Sequence, residues 1–364
     1  MNKTAEPEST AELIDALNSF TRVIPVGGET KQPLFQVAGA SRISLRKLQG
    51  MVQYEPSEFT FTAKAGTPVA DIVKVLSERR QYLPFDPMLV DAGSTIGGAV
   101  ASGLSGPGRF RFGGIRDFLL GVQFITGDAV TVNAGGKVVK NAAGFDLPKF
   151  LVGSLGRFAI MTELTFKVFP LPEVTRTLHV QCESHQQAAQ RMAQVAGSRL
   201  EPFAIDYRPA ARQAAIQLGG PELSLDSLTA ELRKWWGDDL CDLEDEARYW
   251  NHIRQLDWAP SAAAVKVAST LRSSQCLAEQ FESDENITLH ISVAGDVTWM
   301  LVKEANHLDR ISQQLTDLRL SGLVVRGEGC HQPLIGSIPT SQMQQAIQKA
   351  LDPSGRFCPW TQAA

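Results

Sequence analysis

The sequence predicts an α+β protein of two domains, and three observations predict it. Of the 30 glycines, 20 fall in residues 1–172. All six tryptophans lie at or beyond Trp235. Strand patterns of period two occur on both sides of Pro170 and Pro172, a proline pair that ends a strand and marks a boundary. With 364 residues the chain is long enough for two cores. The expected division is a first domain over 1–172, a second over 173–351, and a tail, 352–364, returning to the first domain.

The elements follow in order. RVIPV (22–26) reads as a short strand entering the loop GGETK (27–31). EFTFTA (58–63) alternates as a strand. Thr67 as N-cap and Pro68 in the first turn then open a helix that runs to about Arg79, with Val69, Ile72, Val73 and Leu76 on one face. Residues 91–108 form the densest glycine segment, whose small side chains let a short helix approach a neighbour closely. Strands at 118–126 and 130–133 are joined through Gly127 and Asp128, a hairpin signal. Residues 147–155 read as helical, and 158–168 alternates, with Phe158, Ile160, Leu164, Phe166 and Val168 on one face. Beyond 173 the strands LHVQC, FAIDY, AAIQL, AVKVA, ITLHISVA, VTWMLV and LVVR alternate with helices near 185–196, 224–236, 246–256, 305–318 and 340–351. That is a separate α+β unit with an antiparallel sheet. No internal repeat is visible.

Composition narrows the function. A formal charge of −4 with no basic run excludes the electrostatic footprint of a nucleic-acid binder. Five widely spaced cysteines, none in a CxxC pair, suit a reducing compartment and exclude a disulfide framework or a cysteine metal site. No basic n-region precedes an apolar core at the N-terminus, and no apolar run approaches the ~20 residues of a membrane span, so the expected location is cytoplasmic.

The loop after the first strand offers consecutive backbone N–H groups with little side chain in the way, followed by Lys31, and reads either as an anion-binding nest or as a plain turn. GxGxxG after a strand, GxxxxGK[ST], HExxH and GxSxG are all missing, and the six histidines are scattered, so no metal site is expected.

PVGGETK (25–31), AGTPVADI (65–72), LPFDP (83–87), GSTIGGAVASGLSGPGR (93–109), GGIRDFLLGV (113–122), KVVKNAAGFDLPKFLVGSLG (137–156) and FAIMTELTFKVFP (158–170) occur in that order. Together they closely resemble the FAD-binding domain of the vanillyl-alcohol oxidase, or PCMH, type, and within it the smaller FAD-binding subunit of bacterial glycolate oxidases. The resemblance covers roughly residues 20–172 and is weaker beyond. It implies a two-lobed, PCMH-type FAD-binding domain followed by a small α+β cap domain. It also implies that Val26, Gly27, Gly28, Glu29, Thr30 and Lys31 wrap the FAD pyrophosphate. Gly93, Ser94, Thr95, Gly97 and Gly98 would pass along the ribityl chain and flavin, Gly97 and Gly98 leaving room for the ring. Ser102 and Gly103 would line the same wall, and the backbone of Ile160 would meet the adenine edge. Two departures stand out. Glu29 replaces the family's third glycine, placing a carboxylate beside the diphosphate at a cost of about 1 kcal/mol unless it faces water. The closing Asn-Pro-Gly reads Cys358-Pro359-Trp360. With no nucleophile in the first loop, the FAD is expected to be non-covalent.

Other groups carry two readings each. Arg109, Arg111 and Arg116 among Phe110, Phe112 and Phe118 suggest a structural or flavin-flanking role rather than a nucleic-acid surface. Lys140, Asn141 and Asp146 read as buried polar residues fixing a loop, or as ligand contacts. Arg326, Glu328 and His331 would suit carboxylate binding and proton removal, or form a solvated loop. Trp235, Trp236, Trp250 and Trp258 would make a docking surface or ordinary core. The resemblance implies an FAD subunit that passes electrons to a larger FAD-binding catalytic subunit and an iron–sulfur subunit, reaching the inner membrane only through that complex, with a small 2-hydroxy acid as substrate. A stand-alone flavin oxidoreductase and a scaffold subunit without tight FAD are the alternatives.

Overall fold

The structure, a computed structural model, describes residues 3–34, 37, 39–136, 146–327, 330, 333–338 and 342–358, without the side chains of 238, 343 and 344. Two units divide the chain. Met1–Ser105, Gly114–Pro170 and Pro339–Ala364 form the first, and Gly106–Gly113 with Leu171–Ile338 the second. Helix Gln342–Leu351, which the sequence pattern grouped with the second domain, is thus part of the first unit.

In the first unit the strands are β1 (Thr4–Ala5), β2 (Val23–Val26), β3 (Ser41–Ser44), β4 (Met51–Glu55), β5 (Thr60–Lys64), β6 (Gln81–Tyr82), β7 (Leu119–Ile125), β8 (Thr131–Gly135), β9 (Ile160–Lys167) and β10 (Phe169–Pro170). A parallel sheet has the order β1-β3-β2, an antiparallel sheet the order β4-β5-β9-β7-β8, and β6 pairs with β10. The larger sheet is held by aromatic side chains at its centre. Phe61 of β5 and Phe166 of β9 are registered opposite one another and stack at 5.5 Å, with Phe85 against Phe166 and Phe118.

Helix Val69–Ser77 buries Val69, Ile72 and Leu76 but leaves Val73 exposed. Its N-cap is Pro68 rather than Thr67, because the Thr67 hydroxyl is otherwise engaged: it donates to Lys64 O at 2.6 Å and accepts from Gly50 N at 2.9 Å. The β7–β8 hairpin forms through residues 126–130, and its Gly127 answers a different need. A Cβ there would lie 2.0 Å from the Asp352 carboxylate, where the C-terminal segment packs. Asp146 is exposed and caps helix Leu147–Leu151 through Lys149 N, rather than being buried; Lys140 and Asn141 lie outside the described residues.

The second unit contains β11 (Val174–Gln181), β12 (Ala204–Arg208), β13 (Gln213–Gly220), β14 (Leu240–Asp242), β15 (Ala263–Ala268), β16 (Ile287–Ser292), β17 (Val297–Val302), β18 (Ser321–Gly327) and β19 (Leu334–Gly336). They make one sheet, β14-β11-β13-β12-β16-β17-β15-β18-β19. The order corrects the expectation of no repeat. β11, helix His185–Ala196, β12, β13, helix Glu222–Trp236 and β14 form a βαββαβ unit. β15, helix Leu271–Gln280, β16, β17, helix Leu308–Asp317 and β18 form another. The two halves meet edge to edge at β12 and β16, where Tyr207 pairs with Ile291.

Trp235 and Trp236 belong to the large core under this sheet, and Trp250 and Trp258 to a smaller cluster with Ala204 and Ala215. Core packing, not an open docking face, is what these indoles do. The segment 106–113 is likewise structural: Phe110 packs on the core, Arg111 pairs with Glu201 at 2.6 Å, and Phe112 meets Phe203 edge-on at 4.9 Å.

Candidate functional site

β2 delivers the chain into a cavity of about 690 Å³ within the first unit. One wall is residues 25–31; the others come from Ala65, from Thr95 through Ser102, and from Leu155, Gly156, Ala159 and Met161.

The first loop is held in a particular sense. Arg46, just beyond β3, donates through Nε to Gly27 O at 3.0 Å and through Nη2 to Gly28 O at 3.1 Å. In a trans peptide the N–H points opposite the C=O, so this clamp turns the N–H groups of Gly28 and Glu29 away from Arg46. None of the backbone N–H groups of residues 27–31 finds an acceptor among the described residues. A row of unsatisfied donors lining a cavity is a site for an anion.

The second loop is fitted against the first. A Cβ on Gly28 would stand 1.9 Å from Gly93 O, and one on Gly27 would stand 2.2 Å from Thr95 Oγ1. Glycine is therefore required for the two loops to meet, and Gly93 itself has φ +90°, a left-handed backbone that favours glycine. Val69 N donates to Ser94 O, Ile96 N to Thr67 O and Gly97 N to Ala65 O, fixing the loop along residues 65–69. Thr95 Oγ1 accepts from Gly98 N at 3.3 Å and caps helix Ile96–Ser102.

Charge is placed with equal care. Lys31 is 7% exposed, and among the described residues its Nζ meets only Thr30 Oγ1 at 2.9 Å and Ser94 Oγ at 3.5 Å. Burial lowers its pKa from 10.5 to about 8, because no neighbouring carboxylate offsets the lost hydration. Glu29 has φ +56° and its carboxylate lies 3.5 Å from Arg42. Its negative charge is thus shared with a cation of β3 rather than left facing the loop donors alone.

Of the residues expected here, Val26 through Lys31, Thr95, Gly97, Gly98 and Ser102 line the cavity. Gly93 and Ser94 stand behind the lining. Gly103 caps the helix at φ +64° and packs toward Gly153. The Ile160 side chain is fully buried, and the residues on either side of it, Ala159 and Met161, line the cavity. Gly97 does not make room for a ring, since its Cβ would meet Ala65 at 2.8 Å. Arg326 is engaged in the second unit, donating to Leu256 O at 2.9 Å and Ser261 Oγ at 2.5 Å, while Glu328 and His331 lie outside the described residues. The closing Pro359 and Trp360 do so as well. Among the described residues no group of three His, Cys, Asp or Glu is arranged to hold a metal ion.

Arg46 and Arg42 were missed from sequence. The available signal was the parallel pairing of β2 with β3, which carries the residues after β3 alongside the loop after β2.

The profile of a FAD binding domain family matches residues 2–135. The glycolate oxidase subunit GlcE of Escherichia coli is 30% identical over 349 residues, covering 94% of this chain and 93% of the relative. The glycolate oxidase subunit GlcD of Bacillus subtilis is 26% identical over 169 residues, 46% of this chain and 36% of that protein. A D-lactate dehydrogenase of Archaeoglobus fulgidus is 26% identical over 212 residues, 58% of this chain and 44% of that one. A solved structure of alkyldihydroxyacetonephosphate synthase superposes with a TM-score of 0.67 at 16% identity, covering 97% of this chain and 76% of that one, a likeness of fold alone.

Proposed function

The chain belongs to the family of the glycolate oxidase subunit GlcE, and from that premise we propose that it is the FAD-carrying electron-relay subunit of a complex that oxidises small 2-hydroxy acids. It is an FAD-dependent oxidoreductase with a PCMH-type α+β fold. The observation that carries the finer reading is the character of the cavity: its unpaired N–H row, buried Lys31 and glycine-tight loop contact suit a diphosphate. Glu29 and Lys31 are the ionisable residues lining it, and Glu29 is held by Arg42. Such a set suits binding and orienting an anion.

Bound FAD would supply a two-electron acceptor for conversion of a 2-hydroxy acid to the 2-oxo acid, the C2 hydride and the hydroxyl proton leaving together. The loop of residues 27–31 would hold the diphosphate through backbone N–H groups, with Arg46 keeping those groups turned inward. Leu34, Leu45, Leu155 and Met161 give the cavity apolar walls that exclude water from the cofactor. Attachment is non-covalent in this reading, and among the described residues no histidine or cysteine lines the cavity. Larger catalytic and iron–sulfur subunits complete the reaction in this reading. Among the described residues no helix is long and apolar enough to cross a membrane, and any location at the membrane would come through those partners.

The purified chain is expected to be yellow and to release free FAD on acid denaturation. Its flavin spectrum should persist with glycolate alone and bleach when glycolate is added to the co-expressed complex. Bleaching of the isolated chain would make it a stand-alone enzyme. A colourless protein that cannot be reconstituted with FAD would remove the flavin role altogether.

A further inference from the structure

We propose that the Lys31 ammonium is the side-chain counter-ion of the FAD diphosphate in this chain, and that its burial couples cofactor retention to pH. The inference rests on reading the cavity as the FAD site and adds a regulation of that site.

Two geometric observations carry it. Lys31 lines the cavity at the end of the unpaired N–H row, yet is 7% exposed and, among the described residues, has only hydroxyl oxygens within reach. A buried ammonium without a carboxylate is costly and is kept where an anion arrives. The charged groups on the surrounding elements are committed elsewhere. Glu29 on the same loop lies against Arg42 of β3, and Arg46 beyond β3 is occupied by the Gly27 and Gly28 carbonyls. Arg157, ahead of β9, is buried and donates to Leu34 O at 3.2 Å. The segment of residues 93–102 offers only the hydroxyls of Ser94, Thr95 and Ser102. Burial alone lowers the Lys31 pKa, to about 8.

The consequence follows from linkage. Below pH 8 the ammonium is already present and meets the diphosphate directly. Above it the empty protein holds a neutral amine, and binding a dianion must take up a proton. The dissociation constant then rises by about tenfold per pH unit until the pKa of the bound form is reached. In the FAD-free protein the sign is opposite. Between pH 8 and 10.5 the unfolded chain binds a proton that the folded chain lacks, so stability increases with pH across that window.

The test is titration of flavin-depleted protein with FAD, followed by flavin fluorescence, between pH 6.5 and 9.5, with ADP-ribose as a second, competing probe carrying the same doubly esterified diphosphate. Wild type should bind with constant affinity to about pH 7 and progressively more weakly above 8, for FAD and ADP-ribose alike. K31R should abolish the pH dependence while keeping the pH 7 affinity. K31M should bind ~10- to 100-fold more weakly at pH 7, the loss of one charge-assisted hydrogen bond. K31M should also melt at a higher temperature than wild type when both are free of FAD at pH 7, a gain that disappears near pH 10.5. A flat wild-type profile, or K31M binding as tightly as wild type at pH 7, overturns the proposal while leaving the FAD site standing. No FAD binding by wild type at any pH overturns both. The wild-type profile needs no variant, so a misfolded substitution does not shield the idea.

Discussion

At Glu29 a backbone cost and an ion-pair gain nearly cancel. Its φ of +56° places a side chain in a region glycine occupies freely, at roughly 1–2 kcal/mol. The half-exposed contact with Arg42 at 3.5 Å returns ~1 kcal/mol at most. Glu29→Gly should therefore leave thermal stability unchanged or raise it by ~1 kcal/mol. Because Arg42 already balances the carboxylate, FAD affinity should shift by less than about threefold. Arg42→Ala should be the harsher change, weakening FAD by ~3- to 10-fold, since the carboxylate then stands uncompensated beside the anion site. A tenfold gain in affinity for Glu29→Gly would mean that Arg42 does not neutralise it. Lys31 carries the larger cost at this scale. Keeping its ammonium buried in the FAD-free protein costs about 3 kcal/mol below pH 8. A fold tolerates that only where binding offsets it.

Among the elements, the join between β12 and β16 is where the second unit depends most on side chains. A single registered pair, Tyr207 with Ile291, links the two halves of the sheet. Asp206, fully buried, reinforces it by accepting from Ser292 Oγ at 2.8 Å and Val293 N at 3.2 Å and by bonding His290 Nε2 at 2.7 Å. Asp206→Ala strands three buried groups at once and should lower the stability of the second unit by ~3–5 kcal/mol, read by urea unfolding with tryptophan fluorescence. Loss of less than 1 kcal/mol would show that the main-chain ladder alone holds the halves together. This join also explains what the sequence hid. The strands, their antiparallel pairing and most helices were legible from period and punctuation. The repeat was not, because matching positions 84 residues apart need only match in shape: Asp206 corresponds to His290, and Tyr207 to Ile291. In the first unit Gly27 and Gly28 marked a tight loop, readable as an anion nest or as a plain turn. Its clamp by Arg46 was not, since a side chain bonding a carbonyl leaves no spacing rule.

For the molecule as a whole, the C-terminal segment decides how the cofactor site is braced. After Pro170 the chain runs through the second unit and returns to the first at Pro339. Arg356 O then accepts from Val23 N at 2.8 Å, Phe357 bridges to Val23, and Arg356 Nη1 donates to Leu17 O at 3.0 Å. Val23 begins the strand that ends in the anion loop, so residues distant in sequence support the loop's root. The turn is organised by Asp352, 3% exposed, whose carboxylate accepts from Arg356 N at 2.9 Å and Phe357 N at 2.7 Å. Removing it with Asp352→Ala should cost ~1.5–3 kcal/mol, borne by the first unit. The chain supplies its own reporters for locating that cost. Five of the six tryptophans, Trp235, Trp236, Trp250, Trp258 and Trp299, belong to the second unit and dominate the tryptophan signal, Trp360 alone falling in the first, whereas the flavin reports the first. In Asp352→Ala the rise of flavin fluorescence on heating should move down by several degrees while the main tryptophan transition stays within about one degree of wild type. Equal displacement of both signals would mean that the two units unfold as one, and that the support of the flavin loop is a property of the entire chain rather than of its closing segment.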